Sequence, residues 1–360
     1  MIRKLVANVS QLHYGGSITS DSPMQRRHLL ALPALLAAPA IAQERVVNIY
    51  SARHYDTDRE LWDAFTRQSG IRVRVIEANV DQLLERIRAE GANSPADILI
   101  TVDIGRLARA KDGGVFQPTR NATLEARIPA HLRDPQGHWF GFTSRARVVM
   151  YDKARGLPAQ LTRYEDLARA EFANGLLVRS SGYIYNIGWT ASMLAADGLA
   201  ATEAWARGIA QNLARPPSGG DRDQIRAMIA GQGRLAIANT YYLGLLHISP
   251  RAEERELAER VGVLFPNQGD RGTHMNVSGA GIIRNAPNRA AAEAFLEYMA
   301  SPAAQALFAG SNMEYPVVAD AQIHPFLRGL GSFRQDPISA SDLAANMPEA
   351  LRLMQRAGWR

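Results

Sequence analysis

Two tyrosines, Tyr241 and Tyr242, stand side by side in the stretch IANTYYLG at residues 237–244. Neighbouring side chains of an extended strand point to opposite faces, so a tyrosine pair with one job belongs where the strand has already ended. Other positions repeat the arrangement. His54 and Tyr55 follow the apolar run VVNIY at residues 46–50, and Tyr183 and Tyr185 follow GLLVR at residues 175–179. Asp103 follows a fourth run, ADILIT, at residues 96–101. In open α/β sheets ligands bind outside the carboxyl ends of strands, and three of these four ends carry tyrosine. A single tyrosine at such a place is ordinarily a half-buried core residue whose hydroxyl finds some partner. It is the joint placement that argues for a site.

If these groups converge on an ion, the chemistry is narrow. A free phenol loses its proton near pH 10, and a metal charge beside it drives that loss at lower pH. Several phenolate oxygens with one imidazole make a hard, anionic donor set, which Fe(III) matches best. Four phenolates would leave a net charge of −1 on the site, which Arg53, Arg145 or Arg179 can balance. A second reading is capture of an oxyanion or another small solute. Ser180-Ser181-Gly182 at a helix start offers hydroxyls and backbone N–H groups of the kind that hold phosphate or carboxylate. A non-heme iron enzyme comes third. The chain has no G-x-S-x-G, H-E-x-x-H, G-x-x-x-x-G-K-[ST] or G-x-G-x-x-G motif, and Asp103 as a base has no nucleophile signalled beside it. These patterns point to a binding protein with no organic cofactor, not to an enzyme.

The elements that must position these residues alternate. A strand at 46–50 precedes an amphipathic helix at 58–69 carrying Leu61, Trp62 and Phe65, with Thr57-x-x-Glu60 as a capping box and Gly70 as its stop. Ile71, Val73 and Val75 mark a second strand, and a helix through Leu83, Leu84 and Ile87 ends at Gly91. The strand at 96–101 leads to a helix beginning near Asp103. Residues 145–151 form a long strand able to pass from one lobe to another. Strands follow at 175–179, 234–239 and 277–284, and helices start near Tyr185 and cover 221–230, 289–300 and 303–309. This alternation predicts α/β lobes with largely parallel sheets.

At 360 residues the chain suits about two domains. With 46% hydrophobic and 21% charged residues it reads as globular. Its amino terminus differs: Arg26-Arg27 precedes an apolar run from Leu29 to Ala38 and an Ala40-x-Ala42 cleavage pattern. These features predict an export leader over residues 1–42 of the twin-arginine type, with Met24 as the true start and cleavage near Ala42. Four of the 41 basic and one of the 35 acidic residues lie in that leader, leaving 37 and 34 and a net charge of +3 in the remainder. Such a small excess without a basic run gives no nucleic-acid footprint. The leader run is too short and too broken by proline for stable membrane insertion. With no cysteine, a metal must be held by oxygen and nitrogen.

At these residues the chain resembles the ferric-iron-binding periplasmic proteins of ABC transporters, within the wider class of two-lobed substrate-binding proteins. The resemblance runs from about Val46 to Trp359. It is carried by NIYSARHYDTDRELWDAF, GANSPADILITVDIGRL, WFGFTSRARVVMYD, RSSGYIYN, DRDQIRAMIAGQGRLAIANTYYLG and EYPVV. It implies an α/β, two-lobed periplasmic-binding-protein fold of the class II type, with residues 43–145 plus 275–320 as lobe 1, residues 146–274 plus 321–360 as lobe 2, and a cleft between them. It implies Fe(III), as transported ligand, on Tyr241 and Tyr242, on His54 and Tyr55, and on Tyr185.

Some relatives complete the iron shell with a bound phosphate or carbonate where this chain has Ser181-Gly182. With Tyr185 available, no obligatory anion is expected. A Glu ligand of some relatives falls at Asp103, whose shorter side chain places it outside the ligand set. Arg53, Arg145, Arg179, Ser180, Ser181 and Asn239 stand with it as residues around the ligands or for an anion, and Tyr183 matches no role. The implied partner is an inner-membrane ABC permease with a cytoplasmic ATPase, served by a periplasmic monomer.

Overall fold

The computed structural model describes residues 45–53 and 55–360, so the expected leader at residues 1–42 and the expected ligand His54 lie outside the described residues. Nine strands occur among the described residues: β1 Val46–Ser51, β2 Arg72–Glu77, β3 Ile98–Thr101, β4 Phe140–Asp152, β5 Leu176–Leu177, β6 Leu235–Asn239, β7 Val261–Leu264, β8 Met275–Ile282 and β9 Tyr315–Pro316. They follow the order β2-β1-β3-β8-β4-β6-β5, with β7 and β9 also pairing with β4. Helices lie between them, and no helix of the described residues is long and apolar enough to cross a membrane.

The sheet is mixed, which corrects the expectation of largely parallel pairing. β1 runs parallel to β2 and β3, and β5 runs parallel to β6. Every pairing of β4 and β8 is antiparallel. The cause is topological. Parallel neighbours arise where a strand returns through a helix, whereas β4 and β8 are traversed in the opposite sense.

β4 holds the two halves of the sheet together. Its residues from Phe140 to Ala146 pair with β8, and its residues from Arg147 to Asp152 pair with β6 and β7. Twelve of its 13 residues are buried, Arg145 and Arg147 among them, and only Tyr151 is partly open. Arg145 and Arg147 therefore stand on either side of the point where β4 changes partners.

Most elements lie where periodicity put them. The first helix spans Asp58–Ser69 and stops at Gly70, whose φ of +69° suits a residue without a side chain. The capping box does not form. Thr57 is helical and makes no cap bond to that helix; its hydroxyl donates to Asn312 instead. The strand expected at 175–179 shortens to Leu176–Leu177, because β6 offers partners only at Leu235 and Ala236. The helix near Tyr185 runs over Ile184–Gln211, broken at Gly198 (φ +77°). Within it Trp189 packs edge-on to Trp205, beyond the break, at 4.9 Å, and to Trp359 near the end of the chain at 6.0 Å. That packing fixes the position of the helix and of the tyrosine in its first turn.

Candidate metal centre

The tandem tyrosines lie in the first turn of a short helix, Thr240–His247, which begins directly where β6 ends at Asn239. Tyr185 occupies the first turn of the long helix Ile184–Gln211. Three phenols thus start from two helix amino termini, where the unpaired N–H groups and the helix dipole favour negative charge. Tyr55 arrives from the loop after β1. Burial is deepest at Tyr185 and Tyr241, each 2% exposed, while Tyr55, Tyr183 and Tyr242 are half-buried.

Five tyrosines close a circuit. The rings of Tyr241 and Tyr242 lie 4.0 Å apart between centroids. Tyr241 meets Tyr55 edge-on at 5.8 Å. The hydroxyl oxygens of Tyr55 and Tyr185 are 3.4 Å apart. Tyr185 meets the ring of Tyr183 edge-on at 5.0 Å, and Tyr183 returns to Tyr242 through a 2.7 Å hydroxyl–hydroxyl hydrogen bond. Among the described residues no group of three or more His, Cys, Asp or Glu side chains is placed to hold a metal. The donors that converge are phenols.

Arginines line the circuit. Arg53 lies over the Tyr55 ring at 4.5 Å, Arg145 over Tyr185 and Tyr241 at 5.3 and 5.8 Å, and Arg179 over Tyr183 at 3.4 Å. Arg145 also donates to the hydroxyl of Tyr185 at 2.9 Å. Buried guanidiniums need partners, and these have them. Arg53 pairs with Asp58 at 2.8 Å and with Glu314 at 3.1 Å, and Arg145 faces Glu314 at 3.4 Å. Arg147 and Arg179 share Asp221 at 2.7 and 3.5 Å. Both Arg53 and Arg145 donate to the hydroxyl of Ser278. In this network four guanidiniums, of Arg53, Arg145, Arg147 and Arg179, meet three carboxylates, of Asp58, Asp221 and Glu314, which leaves one positive charge in excess.

Burial shifts the phenols strongly. Loss of hydration, followed by repulsion from neighbouring phenolates and carboxylates, pushes Tyr55, Tyr183, Tyr241 and Tyr242 above the ordinary tyrosine value, so they hold their protons in the ion-free protein. For Arg145, burial works against the charge, but Tyr185, Tyr55 and Glu314 outweigh it and hold the guanidinium more firmly protonated.

The remaining sequence candidates fall around this circuit. Asp103 turns one oxygen back to accept from Arg106 N at 3.2 Å, capping the helix Ile104–Asp112. Its other oxygen faces the polar side chains of His274 and Asn276 across Gly188, and burial pushes its carboxyl up. Asn239 accepts from Arg147 at 3.4 Å. Ser181 is buried and Ser180 exposed, and the Ser180 carbonyl accepts from Tyr183 N at 3.1 Å. Sequence reasoning gave no part to Glu314, Ser278, Asp58 or Asp221. Glu314 was visible only as the first letter of EYPVV, since a carboxylate gives no sign in sequence that it will be buried between two arginines.

Comparisons with known proteins show the family and the fold. Residues 47–313 match the family model described as bacterial extracellular solute-binding protein. The chain is 46% identical over 318 residues to iron uptake protein A1 of Synechocystis sp., covering 88% of both chains. It superposes on a Trichodesmium protein solved in complex with iron and citrate ligands, with a TM-score of 0.83 and 48% identity over 88% of this chain and 100% of that one. It superposes on a ferric binding protein from Campylobacter jejuni with a TM-score of 0.84 and 42% identity, over 87% and 100% of the two chains. These neighbours share the two-lobed α/β fold. The chain belongs to the bacterial extracellular solute-binding proteins.

Proposed function

We propose that the chain captures Fe(III) as cargo on the tyrosine circuit and hands it to an ABC-type permease of the inner membrane. The observation that carries this reading is the convergence of Tyr55, Tyr185, Tyr241 and Tyr242 within a ring of arginines, with no carboxylate or thiolate cluster competing for an ion among the described residues. Each phenol gives up its proton on meeting the metal, and the water-poor site strengthens each oxygen–iron interaction. Four phenolates on Fe(III) carry a net charge of −1, which the single excess positive charge of the surrounding network offsets. His54, adjacent to Tyr55, supplies the fifth ligand. Similarity to proteins named for iron uptake and ferric binding supports the choice of ion.

The same reading places the mature chain in the periplasm, exported through the Arg26-Arg27 leader. Its two lobes are residues 43–145 plus 275–320 and residues 146–274 plus 321–360. They close by a hinge motion that brings ligands from both lobes together.

The test is metal analysis paired with a visible spectrum. Purified mature protein given ferric citrate should colour through phenolate-to-iron charge transfer and retain about one iron per chain, the stoichiometry of a single site. Tyr241→Phe and Tyr185→Phe should each weaken iron retention. A colourless protein, or two variants that bind as tightly as the parent, would count against the reading.

A further inference from the structure

Tyr183 belongs to the circuit without belonging to the ligand set. It precedes the helix Ile184–Gln211 as its cap residue, two positions before Tyr185. Its hydroxyl lies 2.7 Å from that of Tyr242. Behind its ring, the Arg179 guanidinium stacks at 3.4 Å, and that guanidinium is held by Asp221, which also pairs with the buried Arg147. Tyr183 is therefore fixed from both sides, by a cation on its face and by a phenol at its tip.

We propose that Tyr183 is a positioning residue that tunes the iron centre by donating a hydrogen bond to the oxygen of Tyr242 when that oxygen is bound to Fe(III). This rests on the reading of Tyr242 as an iron ligand. The direction of the bond follows from the chemistry. In the ion-free pair either hydroxyl can donate, but a phenolate on iron has no hydrogen to give, so the only donor left between the two oxygens is Tyr183. A cation stacked on the ring draws electron density from the phenol and makes it a stronger donor. A donor on a ligand oxygen draws density away from the metal. It raises the energy of the phenolate-to-iron charge transfer and favours Fe(II) over Fe(III), as outer hydrogen bonds do at other metal sites.

The experiment compares the parent with Tyr183→Phe, which keeps the ring and the Arg179 stack and removes only the hydroxyl. Both are loaded with ferric citrate, and the visible absorption maximum and the Fe(III)/Fe(II) potential are measured. Tyr183→Phe should stay coloured, with its band moved to longer wavelength and its potential moved to a more negative value. Arg179→Gln, which leaves the hydroxyl in place, should move both in the same direction by less. An unmoved band and potential in Tyr183→Phe would reduce the residue to packing and overturn the proposal. Loss of colour, or of one iron-bound phenolate mode in resonance Raman spectra, would make Tyr183 a ligand and overturn it too. A parent protein that never colours would instead defeat the iron reading itself, so the two failures are distinguishable.

Discussion

The guanidinium of Arg145 donates to the hydroxyl of Tyr185 across 2.9 Å, joining the point where β4 changes partners to the first turn of the helix that carries the phenol. Arg145 is fully buried, as is its carboxylate partner Glu314. One side chain thereby holds a phenol in place and balances a carboxylate.

Replacing Arg145 with Met should therefore cost stability and iron affinity together. Removing one partner of a buried ion pair costs about 3–5 kcal/mol, and Arg53, which also holds Glu314 at 3.1 Å, keeps the loss toward the lower end. The double variant Arg145→Met/Glu314→Gln should regain much of the stability in urea unfolding, because no carboxylate is left short of a cation. It should not regain iron affinity, because Tyr185 has still lost its donor. Recovery of both would show that Arg145 serves the fold alone.

Iron binding should weaken steeply as pH falls. Burial holds the phenols of Tyr55, Tyr241 and Tyr242 above their ordinary value, so under the proposed ligand set all three enter the reaction protonated and release their protons to the solvent. Each proton released lowers the apparent affinity by about tenfold per pH unit of acidification. Competition with a chelator of known affinity across neutral to mildly acid pH measures the slope. A flat profile would mean that these phenols do not ionise on binding.

His274 should make the fold itself acid-sensitive. Its ring is fully buried, with Nε2 3.3 Å from the Asn276 amide nitrogen, and burial first, then Arg147 and Arg271, pull its pKa down to about 3. The unfolded chain takes up the proton below about pH 6.5, whereas the native chain resists until about pH 3. The stability this group supports is thus complete above the first value and is lost progressively as pH falls toward the second. His274→Gln, which cannot titrate, should show a flatter decline in urea-unfolding free energy from about pH 7 to pH 4.

The tandem tyrosines share their short helix with Gly244, two residues beyond Tyr242. A side-chain carbon on Gly244 would stand 2.6 Å from the Cβ of Met313, which itself adopts a left-handed backbone with φ of +54°. Gly244→Ala gains about 1 kcal/mol of helix propensity, but overpacking costs roughly 1–3 kcal/mol and pushes the helix Thr240–His247 away from its seat. Iron affinity should fall, measured by the same chelator competition. Adding Met313→Gly removes the obstructing carbon and relieves the left-handed strain, so affinity should return toward that of the parent.

Much of the architecture was legible because it is written in local patterns. Hydrophobic periodicity placed the helix Asp58–Ser69 at its observed bounds, and Gly70 and Gly91 marked helix ends through their freedom of φ. The ends of β1, β3 and β6 were legible to within a residue, so most of the strand-end residues could be gathered as one group from sequence. Local pattern failed where a partner from far along the chain decided the outcome. Thr57 has the spacing of a capping residue, but Asn312, 255 residues away, takes its hydroxyl. The direction of β4 and β8 relative to their neighbours depends on how the chain returns across the sheet, which no window of residues encodes.

The sequence by itself determined the kind of chemistry available: phenols at strand ends, no thiols, and a mild net charge. Residue type and strand period are properties of the chain alone, and they restrict an ion site to hard oxygen and nitrogen donors. Only the tertiary structure decided the circuit. Tyr183 joined Tyr242 at 2.7 Å, and Glu314 came between Arg53 and Arg145, because residues 59 and more than 160 positions apart were brought together by folding. Such pairings depend on distance and burial, and neither exists until the chain has closed on itself.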